Sequence, residues 1–274
     1  MKRSVLTNPV VLITGASSGL GLATAELLAA SGCRVYGANR SNLKPSNGVT
    51  RLPLDLTDEV SIKGVVEQVI RAEGRLDAVV NNAGFGLAGA LENFTSEEMR
   101  RQFEVVFFGL DSLCRASIPH LRQSIAGKII NISSIGGLIG LPFQGAYSAA
   151  KFAVEGYTEA LRLELKPFGV HVSVVNPGDF HTGFTSNRTI VGRENEESPY
   201  RQRFRKTLSI IESDELGGCN PILVAKTVRR IIFSRSPGFR YLAGRFDQKL
   251  MARIKPILPH ALVDWLMLNH YRAG

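Results

Sequence analysis

Cysteine is scarce in this chain. Cys33, Cys114 and Cys219 are the only three in 274 residues, an odd number with no Cys-x-x-Cys pair and no Cys/His cluster. That pattern argues against a disulfide framework and a zinc site and fits a reducing cytosol. Uninterrupted apolar sequence is also missing. The charge-free runs 4–25 and 129–150 are long enough to span a bilayer, but Gly, Ser, Asn and Pro fill them, so no membrane span is expected. Met1-Lys2-Arg3 imitates the start of a signal peptide until Asn8-Pro9 and Gly15, Gly19 and Gly21 break the apolar stretch. Internal repeats and low-complexity linkers are lacking as well, which favours one domain over 1–274. With 44% hydrophobic and 21% charged residues, the chain can fill a large core.

Acidic residues are also few beside the basic ones, and that imbalance is uneven along the chain. Lys and Arg number 33 against 24 Asp and Glu, a net charge of +9. Residues 187–274 hold 16 basic and 8 acidic residues, or +8, whereas 1–186 hold 17 and 16, or +1. No nucleic-acid recognition motif accompanies the surplus, so nucleic acid is not an expected partner.

Short apolar runs alternate with longer amphipathic stretches. Val10–Ile13, Arg34–Ala38, Val49–Leu54, Ala78–Val80, Lys128–Ile132 and Val170–Val175 read as strands. Leu20–Ala30, Val60–Ala72, 96–123 and about 145–167 read as helices. Repeated βα units with nearly continuous apolar strands imply an α/β fold: a doubly wound parallel sheet with helices on both faces, of Rossmann type. After Pro177 the pattern loosens. Residues 185–217 are polar and charged apart from a helix-like stretch near 204–212, and read as a mobile substrate lid. A helix at Val224–Ser234, a strand at Tyr241–Ala243 and a basic, apolar extension over 236–274 complete the chain.

Thr14-Gly15-Ala16-Ser17-Ser18-Gly19-Leu20-Gly21 leaves the first strand and opens the first helix, where free N–H groups and the dipole's positive end receive phosphate. At the end of the second strand, where an acidic residue would meet a ribose 2′-hydroxyl, the chain reads Ala38-Asn39-Arg40. Arg40 suits a 2′-phosphate, which favours NADP(H) over NAD(H). Asp55-Leu56 follows the third strand, within reach of an adenine edge. Tyr147 and Lys151 stand four apart on one helix face. At roughly 4 Å and an effective dielectric near 20, an ammonium would favour a phenolate by about 4 kcal/mol before desolvation, lowering the phenol's pKa. Ser134, after the Lys128–Ile132 strand, offers a hydroxyl to the same reacting oxygen.

With these residues assembled, the chain resembles the short-chain dehydrogenase/reductase family over about residues 8–182. The resemblance rests on the Thr14–Gly21 turn, Asp55, Asn81-Asn82-Ala83-Gly84, Ser134, Tyr147-Ser148-Ala149-Ala150-Lys151, and Pro177-Gly178 with Thr182. Leu141-Pro142-Phe143 and Lys166–His171 look like the branch of hydroxysteroid and retinol dehydrogenases. The resemblance implies hydride transfer between nicotinamide C4 and a carbonyl carbon. Tyr147 would be the acid in reduction, Ser134 would polarise the carbonyl, and Lys151 would hold the nicotinamide ribose and lower the Tyr147 pKa. Asn81, Ala83 and Gly84 would line the cofactor channel, and Pro177, Gly178 and Thr182 would pack on the nicotinamide. A homodimer or homotetramer through helices 96–123 and 145–167 is implied as well. One position departs: Val106 stands where the family usually has an asparagine that holds a water linking the lysine to solvent, so the proton relay is expected to be rerouted or weakened.

The leading expectation is an NADP(H)-dependent oxidoreductase that reduces a carbonyl on a steroid-like, retinoid-like or long-acyl substrate. Phe85, Phe143, Phe180 and Phe184, on loops after strand ends, point to such an apolar ligand, and His181 falls near the same site. Cys33, Cys114 and His171 read as structural. The alternative is a nucleotide-binding regulatory or scaffold protein without turnover, suggested by Val106. The basic tail has two readings: an anionic-membrane contact for a cytoplasmic protein, or a solvated face whose apolar side packs over the pocket.

Overall fold

A computed structural model describes residues 7–41, 47–191 and 197–273. In chain order the elements are β1 (Val10–Thr14), α1 (Gly19–Ala30), β2 (Arg34–Asn39), β3 (Val49–Pro53), α2 (Glu59–Glu73), β4 (Ala78–Asn81), β5 (Leu87–Ala88), α3 (Ser96–Phe103), α4 (Gly109–Leu121), β6 (Lys128–Ile132), α5 (Gly145–Leu165), β7 (His171–Pro177), β8 (Thr189–Ile190), α6 (Arg201–Leu216), α7 (Ile222–Phe233), β9 (Arg240–Ala243), α8 (Phe246–Ile254) and α9 (His260–Tyr271). Seven strands form a parallel sheet in the order β3-β2-β1-β4-β6-β7-β9, while β5 and β8 pair separately.

The strands are buried on both faces, and their side chains divide by parity. Val10 and Leu12 of β1 enter one apolar cluster with Ile62 and Val66 of α2, Leu113 of α4 and Val154 of α5. Val11 and Ile13 enter the other, with Ala25 and Leu28 of α1 and Val224, Val228 and Ile231 of α7. Local signals set the helix ends. The Asp58 side chain accepts the Val60 N–H at the start of α2, and a Thr95/Glu98 capping box opens α3.

The chain winds outward from β1 to β3, then crosses back to β4 on the other side of β1. This reversal opens a crevice at the carboxyl ends of the central strands, where doubly wound sheets bind ligands. The helices expected over 96–123 are α3 and α4, joined by a π-helical turn at Glu104–Phe108. Much of the expected lid is helical, since α6 runs from Arg201 to Leu216; residues 192–196 of that segment lie outside the described residues.

Candidate functional site

The crevice holds a cavity of about 590 Å³. One end is the β1–α1 turn. Gly15 has φ +65°, and a side chain there would approach Ala83 Cα to 2.8 Å. Gly21 is under a harder constraint, because a Cβ would lie 2.1 Å from Gly15 O and 2.4 Å from Asn82 Nδ2. Gly15, Ser17, Ser18, Gly19 and Leu20 face the cavity. No acidic residue occupies the first turn of α1, and the Ser18 side chain makes no cap bond, which leaves the helix terminus suited to phosphate. Thr14 and Gly21 stand behind the wall and fix its shape. Thr14 Oγ1 accepts the Asn82 and Ala83 N–H groups at 3.0 Å each, and Asn82 Nδ2 donates to Thr14 O at 3.0 Å and Gly15 O at 3.1 Å.

Asn81 does not take the place expected of it. Its side chain donates to Asn131 Oδ1 at 2.8 Å and Cys114 Sγ at 3.3 Å, away from the cavity. Parity explains the difference: Asn81 shares the strand face of Val79, which points into the α2–α4–α5 cluster, and Asn82 reaches the cavity instead. Ala83, Gly84, Arg40, Asp55 and Leu56 all border the cavity. The Asp55 carboxyl is held below its usual range, chiefly by the Thr57 N–H and hydroxyl and in smaller part by Arg40.

At the centre, Ser134 follows β6 and Tyr147 and Lys151 project from α5. Ser134 and Tyr147 meet at one spot, since a methyl on Gly136 would lie 3.3 Å from Ser134 Oγ and 3.4 Å from Tyr147 Cε1, and Ser134 Oγ accepts the Gly136 N–H at 2.9 Å. Lys151 Nζ donates to Ile132 O at 2.8 Å and lies 5.8 Å from the Tyr147 ring centroid. The expected lowering of the phenol's pKa is absent from this arrangement. Burial pushes Tyr147 up to about 12, outweighing the opposing effect of the Ser134 hydroxyl, and burial draws Lys151 down to about 8 against the opposing pull of Glu155. Desolvation disfavours both charges, and Lys151 is committed to a backbone carbonyl. Val106 lies in the π-helical turn, 1% exposed. A methyl placed on Gly84 would be 3.8 Å from Val106 Cγ2 and 3.9 Å from Lys151 Nζ, so valine methyls share the lysine's surroundings.

Pro177, Gly178 and Thr182 border the cavity beyond Tyr147, as do Phe85, Phe180 and Phe184; the Phe184 ring lies 5.6 Å from that of Tyr147. Phe143 instead packs on Tyr200 and Phe204. His181 is exposed and its Nδ1 meets Leu216 O at 2.7 Å, which turns it from the cavity to the end of α6. Other parts of the wall come from residues with no motif in the sequence, among them Arg101, Asp179, Ile211, Asp214, Glu215 and Tyr271.

The sequence pattern described as short chain dehydrogenase matches residues 9–190. The chain belongs to the short-chain dehydrogenase family. This dehydrogenase is 44% identical over 262 residues to a 3-ketodihydrosphingosine reductase of Bacteroides thetaiotaomicron, covering 96% of this chain and 97% of that one. It is 36% identical over 195 residues to human 17-beta-hydroxysteroid dehydrogenase type 1, covering 65% of this chain and 59% of the relative, in keeping with the hydroxysteroid branch. A Burkholderia phymatum short chain dehydrogenase/reductase solved in complex with NAD superposes with a TM-score of 0.80 at 25% identity, covering 96% of each chain. The dehydrogenase is therefore an oxidoreductase of a nicotinamide-dinucleotide fold. The glycine turn fits such a cofactor: residues 15 and 17–20 face the cavity beside an uncapped helix terminus, and the tight packing at Gly21 fixes the turn from behind.

Proposed function

We propose that this dehydrogenase is an NADP(H)-dependent reductase of a ketone or aldehyde on a long apolar molecule. The observation that carries the reading is the adjacent Ser134 and Tyr147 side chains, with Lys151 beside them, in the same cavity as the glycine turn. When bound, NADPH supplies a hydride to the carbonyl carbon. Ser134 donates to the carbonyl oxygen and Tyr147 delivers its proton there; a phenol kept protonated by burial suits the acid role. Lys151 and the glycine turn hold the dinucleotide, with Asn82 fixing the turn. Arg40 receives the 2′-phosphate, since β2 ends in Asn39 without a carboxylate. Phe85, Phe180 and Phe184 give the site its apolar side, and the sphingoid ketone named for the Bacteroides relative is the first substrate to try.

The test is nicotinamide absorbance with NADPH and with NADH, across sphingoid, steroid and retinoid carbonyls, alongside Tyr147→Phe. Substrate-dependent NADPH oxidation that the variant abolishes supports the reading. Cofactor binding without oxidation of any carbonyl supports the regulatory alternative that Val106 suggests.

The same reading makes the protein cytoplasmic and homo-oligomeric. Phe108, Phe152 and Leu163, exposed on or beside α4 and α5, supply an apolar face for self-association. The extension is packed on one side and exposed on the other. Met251, Ala252 and Met267 pack on Ile135 and Ile139, while Phe246, Ile257 and Trp265 are 74%, 81% and 60% exposed near Arg245 and Arg253. No helix among the described residues is long and apolar enough to cross a membrane, and this outer face supports peripheral contact with an anionic lipid surface.

A further inference from the structure

Carbonyl reduction leaves one wall of the cavity without a role. Asp179, directly after Pro177-Gly178, lines it with Asp214 and Glu215 of α6. The two α6 carboxylates have cationic partners. Glu215 pairs with Arg188, and Asp214 lies 3.6 Å from Arg245 and 3.1 Å from His270. Asp179 makes no ion pair among the described residues. Its side chain is held by the Gln248 amide of α8, which donates from Nε2 to Asp179 Oδ2 and accepts the Asp179 N–H on Oε1 at 3.1 Å. Gly178 makes room for this grip, since a Cβ there would fall 2.0 Å from Gln248 Oε1. Arg188 and Arg245 do not border the cavity, whereas Asp179, Asp214 and Glu215 do, and of these three Asp179 alone has no ion pair among the described residues.

A carboxylate drawn from water toward an apolar chamber needs a counter-charge, and the protein supplies none in contact. Burial accordingly pushes the Asp179 acid up to about 6. Glu215 and Asp179 also act electrostatically on the Tyr147 phenol, with Arg188 acting in the opposite sense, which places this wall close to the reacting oxygen. A neutral hydroxyl would leave the charge uncompensated, whereas an ammonium brings both a positive charge and three donors.

We propose that Asp179 anchors a protonated amine of the substrate, so that the cavity takes an amino ketone with its carbonyl at Ser134 and Tyr147 and its ammonium at Asp179. The proposal rests on the carbonyl-reductase reading and names the substrate class within it. Gln248 is a positioning residue that keeps the carboxylate facing inward.

The test compares kcat/KM, with NADPH, for 3-ketodihydrosphingosine, which is a long-chain 2-amino ketone, and for the same ketone without the amine. The wild type is expected to prefer the amine at least about 10-fold, and Asp179→Asn to shrink that ratio by about 10- to 100-fold, the effect of losing one charge-assisted hydrogen bond. The preference should also fade as the pH falls through about 6 and Asp179 gains its proton. The charged or titratable groups facing it are Asp214, Glu215, Arg245, Tyr147 and Tyr271. Equal kcat/KM for the two ketones in the wild type, or an equal loss on both in Asp179→Asn, overturns the proposal and leaves the reductase reading intact. Absence of NADPH oxidation with either ketone, despite NADPH binding, overturns both. Should Asp179→Asn not fold, inhibition of the wild type by a long-chain amine and by the matching long-chain alcohol decides, and equal inhibition constants overturn the proposal.

Discussion

Substituting Gly21→Ala puts a methyl where the structure has no room. The added carbon would lie 2.1 Å from Gly15 O and 2.4 Å from Asn82 Nδ2, both well inside contact distance. The oxygen cannot yield alone, because Asn82 binds it and Thr14 binds Asn82 and Ala83. The turn must therefore move by about 1 Å and loosen at least one of those hydrogen bonds. Overpacking of this kind costs roughly 1–3 kcal/mol and each lost hydrogen bond about 1 kcal/mol, or about 2–5 kcal/mol together. At roughly 2–4 °C per kcal/mol for a chain of this size, Tm should fall by about 4–20 °C. Gly64→Ala on α2 is the matched control: nothing lies within 4 Å of its Cβ, and helix propensity should raise stability by about 0.5–1 kcal/mol. Thermal melts of both variants, with NADPH titrated by fluorescence, make the comparison. If Gly21→Ala melts within 2 °C of the wild type and binds NADPH with unchanged affinity, the turn is not the rigid cradle described here.

Arg40→Leu should weaken NADPH about 10-fold relative to NADH, the low end of a charge-assisted contact because the side chain is exposed, and added salt should shrink the difference. Equal weakening of both cofactors would remove Arg40 from the phosphate site. Tyr147→Phe should lower carbonyl reduction by about 10²- to 10⁴-fold with NADPH affinity retained; a smaller loss would mean another proton donor. Reduction should decline as pH rises through about 8, where Lys151 loses its charge, while Tyr147 stays protonated up to about 12; a kcat/KM flat to pH 10 would contradict the lysine's role. Trp265→Ser with Ile257→Ser should reduce sedimentation with anionic vesicles without changing Tm by more than about 2 °C, and equal partitioning would leave the exposed apolar face to another use.

Strands were the most legible part of the fold, since β1, β4 and β6 are buried on both faces and read as nearly continuous apolar runs. The break between α3 and α4 was not, because a π-helical turn changes the hydrogen-bond register without a Gly or Pro at its core, and Val105, Val106, Phe107 and Phe108 look like helix interior. Within the site, motif spacing located the glycine turn and the α5 pair. It did not distinguish Asn81 from Asn82, a matter of strand parity, nor show that Lys151 would spend its reach on Ile132 O. Asp179, Asp214, Glu215 and Tyr271 carried no signal, because they become neighbours only when α6 and α9 fold over the end of β7.

Those C-terminal residues change what the basic surplus means. The wall that α6 contributes to the cavity is acidic, while arginines such as Arg188 and Arg245 sit behind it and Arg253 faces outward. Arg40 borders the opposite, dinucleotide end. The Ser134–Tyr147 pair thus lies between an end where exposed Arg40 stands beside Asp55 and an end where Asp179, Asp214 and Glu215 gather. The second end opposes an anionic phosphate and favours a cationic substrate. Around Asp179, where burial lowers the effective dielectric, that opposition discriminates against misplaced binding. A chain with a net charge of +9 therefore meets its ligands through a field of both signs, and the surplus itself belongs to the outer surface.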